Sequence, residues 1–148
     1  MTVSSAHGIN VKLPRAYRDE IIAHAREDAP NECCGIVAGT GGNATRLYRA
    51  INAAASPYRY EVDAKDLLRI NREIDDNDWD VFAIYHSHTH TQAYPSGTDV
   101  RLAFYPEAYY ILVSLGDPAK SDITPDNPDV RAYRIVDEEV TEEAIEVE

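Results

Sequence analysis

Two histidines and an aspartate in the stretch YHSHTHTQAYPSGTD, residues 85–99, are candidate ligands of a metal ion. His86 and His88 end the apolar run WDVFAIYHSH, whose composition is typical of a strand. Because side chains at i and i+2 of a strand point to the same face, both imidazoles can reach one ion. Asp99 lies at the start of a predicted helix, where the helix dipole favours a carboxylate. Two imidazoles and one carboxylate leave one position of a zinc tetrahedron open, which is the pattern of a catalytic zinc site.

The same residues also have interpretations without catalysis. A histidine pair can be solvated or hydrogen-bonded with no metal, and Ser96-x-x-Asp99 fits the capping box of a helix N-terminus. His90 continues the alternation of His86 and His88, so it could be the third ligand instead of Asp99, although it lies beyond the expected end of the strand. The spacing by itself leaves both metal binding and the third ligand open.

The elements that would position these residues are a mixture of strands and helices. Apolar periodicity and turn residues predict helices over 14–28, 64–78 and 96–105 and strands over 34–39, the first half of 44–54, 58–63, 79–88, 108–115, 130–137 and 140–148. Residues 1–10 read as a leader or a first strand. The helices are too few for strict alternation with strands, so we predict an α/β fold in which helices flank a mixed sheet.

Length and charge limit the function classes. The 148 residues fit one domain, and the net charge of −12 argues against nucleic acid or an anionic membrane as partner. Seven acids lie in the last twelve residues, and an acidic C-terminal strand is predicted over 138–148. No apolar run is long enough to span a bilayer, and the N-terminus lacks the features of a signal peptide. A cytoplasmic protein is the expectation.

The chain has two cysteines, Cys33 and Cys34, which are adjacent. Neighbouring cysteines rarely form a disulfide with each other, because the bond strains the intervening peptide. A thiolate zinc site would need a second pair, which the sequence lacks. We therefore expect both thiols to pack in the interior of a protein from a reducing compartment.

The motif around the histidines resembles that of a known family. HSH at residues 86–88, followed after seven residues by SGTD at 96–99, is similar to the JAMM (MPN-plus) metalloprotease signature H-[ST]-H-x7-S-x2-D. The family has a glutamate upstream, and Glu32 in NECCGIVAG occupies the equivalent place. The resemblance extends over most of the chain, from about residue 11 to about residue 147. It implies a single JAMM/MPN domain with a cytidine-deaminase-like mixed sheet flanked by helices.

The resemblance also implies a role for each site residue. His86, His88 and Asp99 would be the ligands of one Zn2+ ion. Glu32 would take the proton of the attacking water and deliver it to the leaving amine, and Ser96 would donate a hydrogen bond to the oxyanion. One departure concerns the loop beside the metal: THTQ at residues 89–92 stands where many bacterial relatives have a proline directly after the HSH triplet. The five functional positions are intact.

The substrate that the resemblance implies is a ubiquitin-like or sulfur-carrier protein that ends in Gly-Gly, cut at the amide bond after the last glycine. The chain has little room for the insertions of eukaryotic deubiquitinases, so it is more similar to the small prokaryotic members, some of which form homodimers. We favour release of cysteine from a carrier–cysteine adduct, with removal of modifiers from lysine as the alternative. YRYEVD, residues 58–63, is a candidate edge to which the glycine tail could add as a strand.

Two further classes of function stay open at this point. Two histidines and a carboxylate also make the facial triad of Fe(II) oxygenases. A module that keeps the fold and the metal but only docks a carrier protein is the other alternative, and it predicts that Glu32→Gln leaves partner binding intact.

Overall fold

The computed structural model of the chain describes residues 10–148, so the predicted leader over 1–10 lies, apart from its last residue, outside the described residues. The elements are β1 (Val11–Leu13), α1 (Arg15–Asp28), β2 (Cys34–Thr40), β3 (Asn43–Ala50), α2 (Ala64–Asp76), β4 (Asp80–His88), α3 (Gly97–Arg101), β5 (Tyr109–Ser114), β6 (Asp129–Val136), β7 (Glu139–Glu143) and β8 (Ile145–Val147). Helix α1 begins after Pro14 and ends at the Ala-Pro-Asn stretch, as predicted.

Six of the strands form one mixed sheet in the order β3-β2-β4-β5-β6-β7. β4 and β5 run parallel, and the other neighbouring pairs of this sheet are antiparallel. β4, which ends in the two histidines, therefore lies in the middle of the sheet. The predicted mixed sheet with flanking helices is confirmed.

Helices cover both faces of the sheet. On one face, α1 packs against β4 and β5 in a buried cluster that includes Ile21, Ile22, Ala25, Ala83, Tyr85, Ile111 and Val113. On the other face, α2 packs against β2 and β3 in a cluster that includes Cys34, Ile36, Tyr48, Ile70 and Ile74. His86 and His88 follow Ile84 in steps of two along β4, so all three side chains belong to the same face of the strand.

Three segments differ from the sequence prediction. The segment 58–63 is not a regular strand, because its backbone pairs with residues 51–53 only around an isolated bridge between Asn52 and Val62. Two further hydrogen bonds of the segment go to the side chain of Asn52. The helix predicted over 96–105 is the five-residue α3. The C-terminal strand predicted over 140–148 is divided at Ala144: β7 pairs with β6, whereas β8 leaves that sheet and pairs in parallel with β1.

The middle of the sheet depends on a close approach between Gly35 of β2 and Tyr85 of β4. A Cβ atom at Gly35 would lie 2.2–2.4 Å from the Tyr85 ring, which is fully buried. The Tyr85 hydroxyl lies 2.7 Å from Nδ1 of His24 in α1, and Nε2 of His24 lies 3.3 Å from a carboxylate oxygen of Asp28. Glycine at position 35 thus gives the Tyr85 ring the space to reach helix α1.

Within residues 10–148, no helix combines the length and the apolar character that crossing a membrane requires.

We expect Gly35→Ala to lower the free energy of unfolding by about 1–3 kcal/mol, since the added methyl group overpacks the Tyr85 ring. Urea denaturation followed by circular dichroism measures this loss. Gly97→Ala is the matched control, because a Cβ there meets only the Arg101 guanidinium at 3.4 Å. Equal stability of Gly35→Ala and the wild type would show that the ring does not need this space.

Candidate metal centre

The end of β4 brings the two predicted histidine ligands together. Nε2 of His86 lies 3.3 Å from Nε2 of His88, and both side chains are buried. His86 is in register with Cys34 of β2 on one side and Leu112 of β5 on the other. Hydrogen-bonded strands on both sides therefore fix the backbone from which the imidazoles project.

Helix α3 brings Asp99 to the same point. Oδ2 of Asp99 lies 3.1 Å from Nε2 of His86 and 3.1 Å from Nε2 of His88. The short helix begins with the predicted capping box: Ser96 Oγ accepts a hydrogen bond from the Asp99 N–H at 3.1 Å, and the Ser96 N–H donates to Asp99 Oδ2 at 2.9 Å. The capping box and the metal site are thus compatible, because the cap aims the carboxylate at the histidines.

The contact between His88 and the Gln92 carbonyl defines which ring nitrogen of His88 carries the proton and which carries the lone pair. Nδ1 lies 2.8 Å from the carbonyl oxygen of Gln92. Since a carbonyl can only accept, Nδ1 carries the proton, and in the neutral ring Nε2 then points a lone pair at His86 and Asp99. Gln92 belongs to the THTQ segment that departs from the family pattern, so this loop still orients a metal-ligand candidate through its backbone.

Glu32 lies beside this cluster, between α1 and β2. The side chain is buried, at 3% exposed, and its Oε1 has no hydrogen-bond partner among the described residues. Glu32, His86 and His88 bring one potential ligand atom each within 4.8 Å of one another. Burial raises the pKa of Glu32 to about 8; the charge of His88 opposes this shift and that of Asp99 adds to it. The structure therefore places the predicted base next to the predicted ligands.

The charges in the cluster depend on one another. Burial acts to raise the pKa of Asp99, but the charge of His86, the hydrogen bonds that both histidines donate when their rings are protonated and the bond from the Ser96 N–H hold it below its ordinary value. Burial lowers the pKa of His86. Burial has the same effect on His88, but the hydrogen bonds to Asp99 and to the Gln92 carbonyl outweigh it and raise its pKa. Asp99 is therefore an anion at neutral pH.

This donor set fits a divalent metal ion. Two imidazole nitrogens and one carboxylate oxygen point at a common space, and lone pairs that converge in a buried site need a cation between them. Their separations of 3.1, 3.1 and 3.3 Å are close to those in zinc sites. Bonds of about 2.0–2.1 Å to a tetrahedral zinc ion place neighbouring donors roughly 3.3 Å apart. The residues present can therefore hold such an ion.

Two contacts of the site were not anticipated from the sequence. The ring of Tyr60 stacks on His86, with centroids 4.2 Å apart and an angle of 22° between the planes. Ser87, between the two histidines, points to the opposite face of β4: its Oγ accepts a hydrogen bond from the Cys33 N–H at 2.8 Å, and its own N–H donates to the Cys33 carbonyl. The position of Ser87 between the two histidines could have indicated that its side chain points to the opposite face of β4. No sequence feature near Tyr60 indicates its stacking on His86.

His90 and the cysteines lie outside the ligand cluster. Nδ1 of His90 lies 2.8 Å from the hydroxyl of Thr89, and the residue is exposed. Cys33 and Cys34 are buried and free, which confirms their predicted place in the interior, and burial raises the pKa of each thiol to about 12. They are not organised as thiolate ligands.

Two cavities lie next to these residues. The larger, of about 720 Å³, has mainly apolar walls between the 58–63 segment and α3, and Asp99 lies at its edge. Tyr60, Leu67, Phe104 and Tyr110 are among its lining residues. The second, of about 600 Å³, is lined by Glu32 and by charged residues of α1. The cluster thus lies between an apolar and a polar depression.

Comparison with known proteins gives consistent similarities. Residues 14–136 match the family described as prokaryotic homologs of the JAB domain. The chain is 45% identical over 129 residues to a CysO-cysteine peptidase of Mycobacterium tuberculosis, covering 86% of this chain and 84% of that protein. It is 36% identical over 111 residues to a desampylase of Haloferax volcanii, covering 70% and 80%. A solution structure of a Desulfitobacterium hafniense protein superposes with a TM-score of 0.76 at 33% identity, covering 93% and 92%.

We expect His86→Ala and Asp99→Asn to lose the metal, because each removes one of the three converging donors. After dialysis against zinc, the wild type should retain about one ion per chain and these variants close to none, as elemental mass spectrometry measures. His90→Ala is the control and also tests the alternative third ligand. Loss of zinc in His90→Ala, with retention in Asp99→Asn, would reverse the assignment.

We expect neither thiol of the folded protein to react with Ellman's reagent at pH 8, since a pKa of about 12 and full burial leave almost no accessible thiolate. In guanidinium chloride both thiols should titrate. A native thiol that reacts within seconds would contradict this placement of Cys33 and Cys34.

Proposed function

The chain belongs to the prokaryotic JAB-domain family, and from that premise we propose that it is a zinc-dependent hydrolase acting on a ubiquitin-like or sulfur-carrier protein. The bond cut is the amide after the C-terminal Gly-Gly, and the product we favour is free cysteine. One observation carries the proposal: Nε2 of His86, Nε2 of His88 and Oδ2 of Asp99 converge within 3.1–3.3 Å, with the buried carboxyl group of Glu32 beside them.

His86, His88 and Asp99 would hold the zinc ion. Nitrogen and oxygen donors without sulfur, and an open fourth position, are the composition of catalytic zinc sites. When bound, zinc polarises a carbonyl group and lowers the pKa of water to roughly 7. The Gln92 carbonyl and the capping box orient His88 and Asp99 for this task before any ion arrives.

Glu32 would move the proton. With Asp99 as the third donor, Glu32 is free to act as a base rather than as a ligand. Its unpaired Oε1 can accept the proton of the attacking water and then donate it to the nitrogen of the leaving amine as the amide bond breaks. Both steps use one carboxyl group on one side of the scissile bond, so the leaving group would lie on the Glu32 side of the cluster.

Ser96 would stabilise the oxyanion of the tetrahedral intermediate. Its oxygen accepts from the Asp99 N–H, but the hydroxyl proton is not used by this cap and remains available as a donor. A fixed donor aimed at developing negative charge stabilises the transition state more than the substrate. The capping box keeps Ser96 next to Asp99, the proposed zinc ligand.

The cavity on the Asp99 side supports an extended peptide tail as substrate. Within residues 10–148, no backbone hydrogen bond involves Tyr60, so its N–H and C=O can pair with an added strand. A diglycine end has no side chains and would fit extended along the part of this cavity that Tyr60 and Asp99 line. The apolar walls formed by Leu67 and Phe104 would then contact the residues before the glycines.

The names of the relatives support the choice of leaving group. The protein at 45% identity is called a CysO-cysteine peptidase, and the desampylase is matched at 36%. We therefore place cysteine release first and removal of a modifier from lysine second, in a chain that acts as one JAMM/MPN domain. A docking module without turnover is the alternative from another class.

The test is a cleavage assay with the zinc-loaded protein. A diglycine-ended carrier with either a C-terminal cysteine or a lysine isopeptide is added, and product masses are followed. We expect the cysteine adduct to be cut, and Glu32→Gln to lower kcat by about 10²–10⁴-fold while zinc content is kept. Glu139→Gln, an exposed change on β7, is the control.

Preferential cleavage of the isopeptide would support the proposed hydrolase activity but show that its substrate is the lysine conjugate and not the cysteine adduct. Carrier binding without cleavage of either substrate by the zinc-loaded wild type would contradict the hydrolase and favour the docking module.

A further inference from the structure

We propose that Asn52 is a positioning residue: its side-chain amide fixes the backbone of Glu32 relative to the segment 59–61 that lies against His86. The inference deepens the proposed function and rests on it. Asn52 follows β3, and its side chain has no place in the sequence motif. It is nevertheless buried, at 9% exposed.

The Asn52 amide makes four hydrogen bonds, each 3.0 Å long. Nδ2 donates to the carbonyl oxygens of Glu32 and Arg59. Oδ1 accepts from the N–H groups of Ala54 and Glu61. A primary amide has two N–H donors and an oxygen with two lone pairs, so Asn52 is fully satisfied. One side chain thus joins the Glu32 loop to two points of the 59–61 segment.

Asn52 completes the set of contacts that hold Glu32. The Glu32 N–H donates to the Ser56 carbonyl at 2.9 Å, within the loop that Asn52 organises. The next residue, Cys33, is held from the other side by Ser87 through both its N–H and its carbonyl. The Glu32 carbonyl would have no such anchor without Nδ2. The peptide group that joins Glu32 to Cys33 is thus held at both ends, its carbonyl by Asn52 and its N–H by Ser87 of β4.

The same amide controls the wall of the site. Arg59 and Glu61 are the residues it binds, and Tyr60 between them stacks on His86 at 4.2 Å. A shift of this segment would move the Tyr60 ring off the imidazole. Asn52 thus sets the distance between the proton-transfer group and the wall along which the substrate tail would lie.

A small displacement of a catalytic base lowers the reaction rate strongly. Proton transfer needs heavy atoms within hydrogen-bond reach, and a shift of about 1 Å can cost on the order of 100-fold. All four hydrogen bonds of the Asn52 side chain go to backbone atoms, so it would act through the positions of Glu32 and Tyr60. The alternative is that Asn52 merely stabilises the loop, which would lower the fraction of folded protein and leave the turnover of each folded, metal-loaded site unchanged.

Two substitutions separate these possibilities. Asn52→Asp keeps an oxygen acceptor for Ala54 and Glu61 but replaces the donor with a carboxylate oxygen that faces two carbonyl groups. Asn52→Ala removes all four bonds. Asn77→Asp is the matched control, because Asn77 also donates to a backbone carbonyl, that of Glu73 at 2.8 Å, but is exposed at the end of α2.

The experiment measures kcat and KM on the carrier–cysteine adduct, normalised to the folded, zinc-loaded fraction, together with amide hydrogen exchange. We expect kcat to fall about 10- to 100-fold in both Asn52 variants, with KM in Asn52→Asp changed less than about threefold. Exchange at the Glu61 and Ala54 amides should accelerate in Asn52→Ala and stay slow in Asn52→Asp. Asn77→Asp should match the wild type.

A normal kcat in Asn52→Asp would overturn the inference, because it would show that the contact to the Glu32 carbonyl is dispensable. The inference would also be overturned if the loss of kcat disappeared after normalisation to the folded, zinc-loaded fraction, because Asn52 would then have only a structural role. If the wild type cuts neither the cysteine adduct nor the isopeptide, the proposed function fails and the inference falls with it. Turnover by the wild type with unaffected Asn52 variants contradicts the inference alone.

Discussion

Three electron-pair donors held in a buried space are the constraint on which the rest of this structure depends. Nε2 of His86, Nε2 of His88 and Oδ2 of Asp99 lie 3.1–3.3 Å apart, and all three residues are less than 9% exposed. Desolvated donors at such distances are unfavourable unless protons or a cation lie between them. Their position must therefore be enforced by the fold. Placement of β4 between two hydrogen-bonded neighbours, a capping box on α3 and a backbone carbonyl on His88 provide that enforcement.

The alternation of side chains along β4 lets one strand serve two purposes. His86 and His88 point to the face that carries the metal-ligand candidates, while Ser87 points to the other face and holds both polar backbone groups of Cys33. Glu32, one residue earlier, is consequently tied to the same strand as the histidines. The proposed base and the two histidines are thus held by one strand, although Glu32 and His86 are more than fifty residues apart in the chain.

Local patterns were sufficient to predict the mixed sheet and to single out His86 and His88, whereas the choice of Asp99 over His90 came from the family resemblance. Apolar periodicity located the elements that carry His86 and His88, and family resemblance pointed to Glu32, which no local spacing could connect to the histidines. The segment 58–63 alternates like a strand, but its backbone pairing is limited to one isolated bridge, and the Arg59 carbonyl and the Glu61 N–H bond to the side chain of Asn52 instead. A side-chain amide in this role leaves no period in the sequence. The division of the C-terminal strand at Ala144 depends on β1 lying nearby, which is a tertiary fact. The stacking of Tyr60 on His86 likewise depends on tertiary structure and has no local sequence signal.

X-ray absorption spectroscopy of the zinc-loaded protein tests the central claim most directly, because it counts the atoms around the ion. The arrangement of His86, His88 and Asp99 predicts two imidazoles and oxygen ligands at about 2.0–2.1 Å, with no sulfur. The wild-type spectrum should lose one imidazole when His88 is replaced. A sulfur shell at about 2.3 Å, which would implicate Cys33 or Cys34, or a spectrum unchanged by that replacement, would contradict the account.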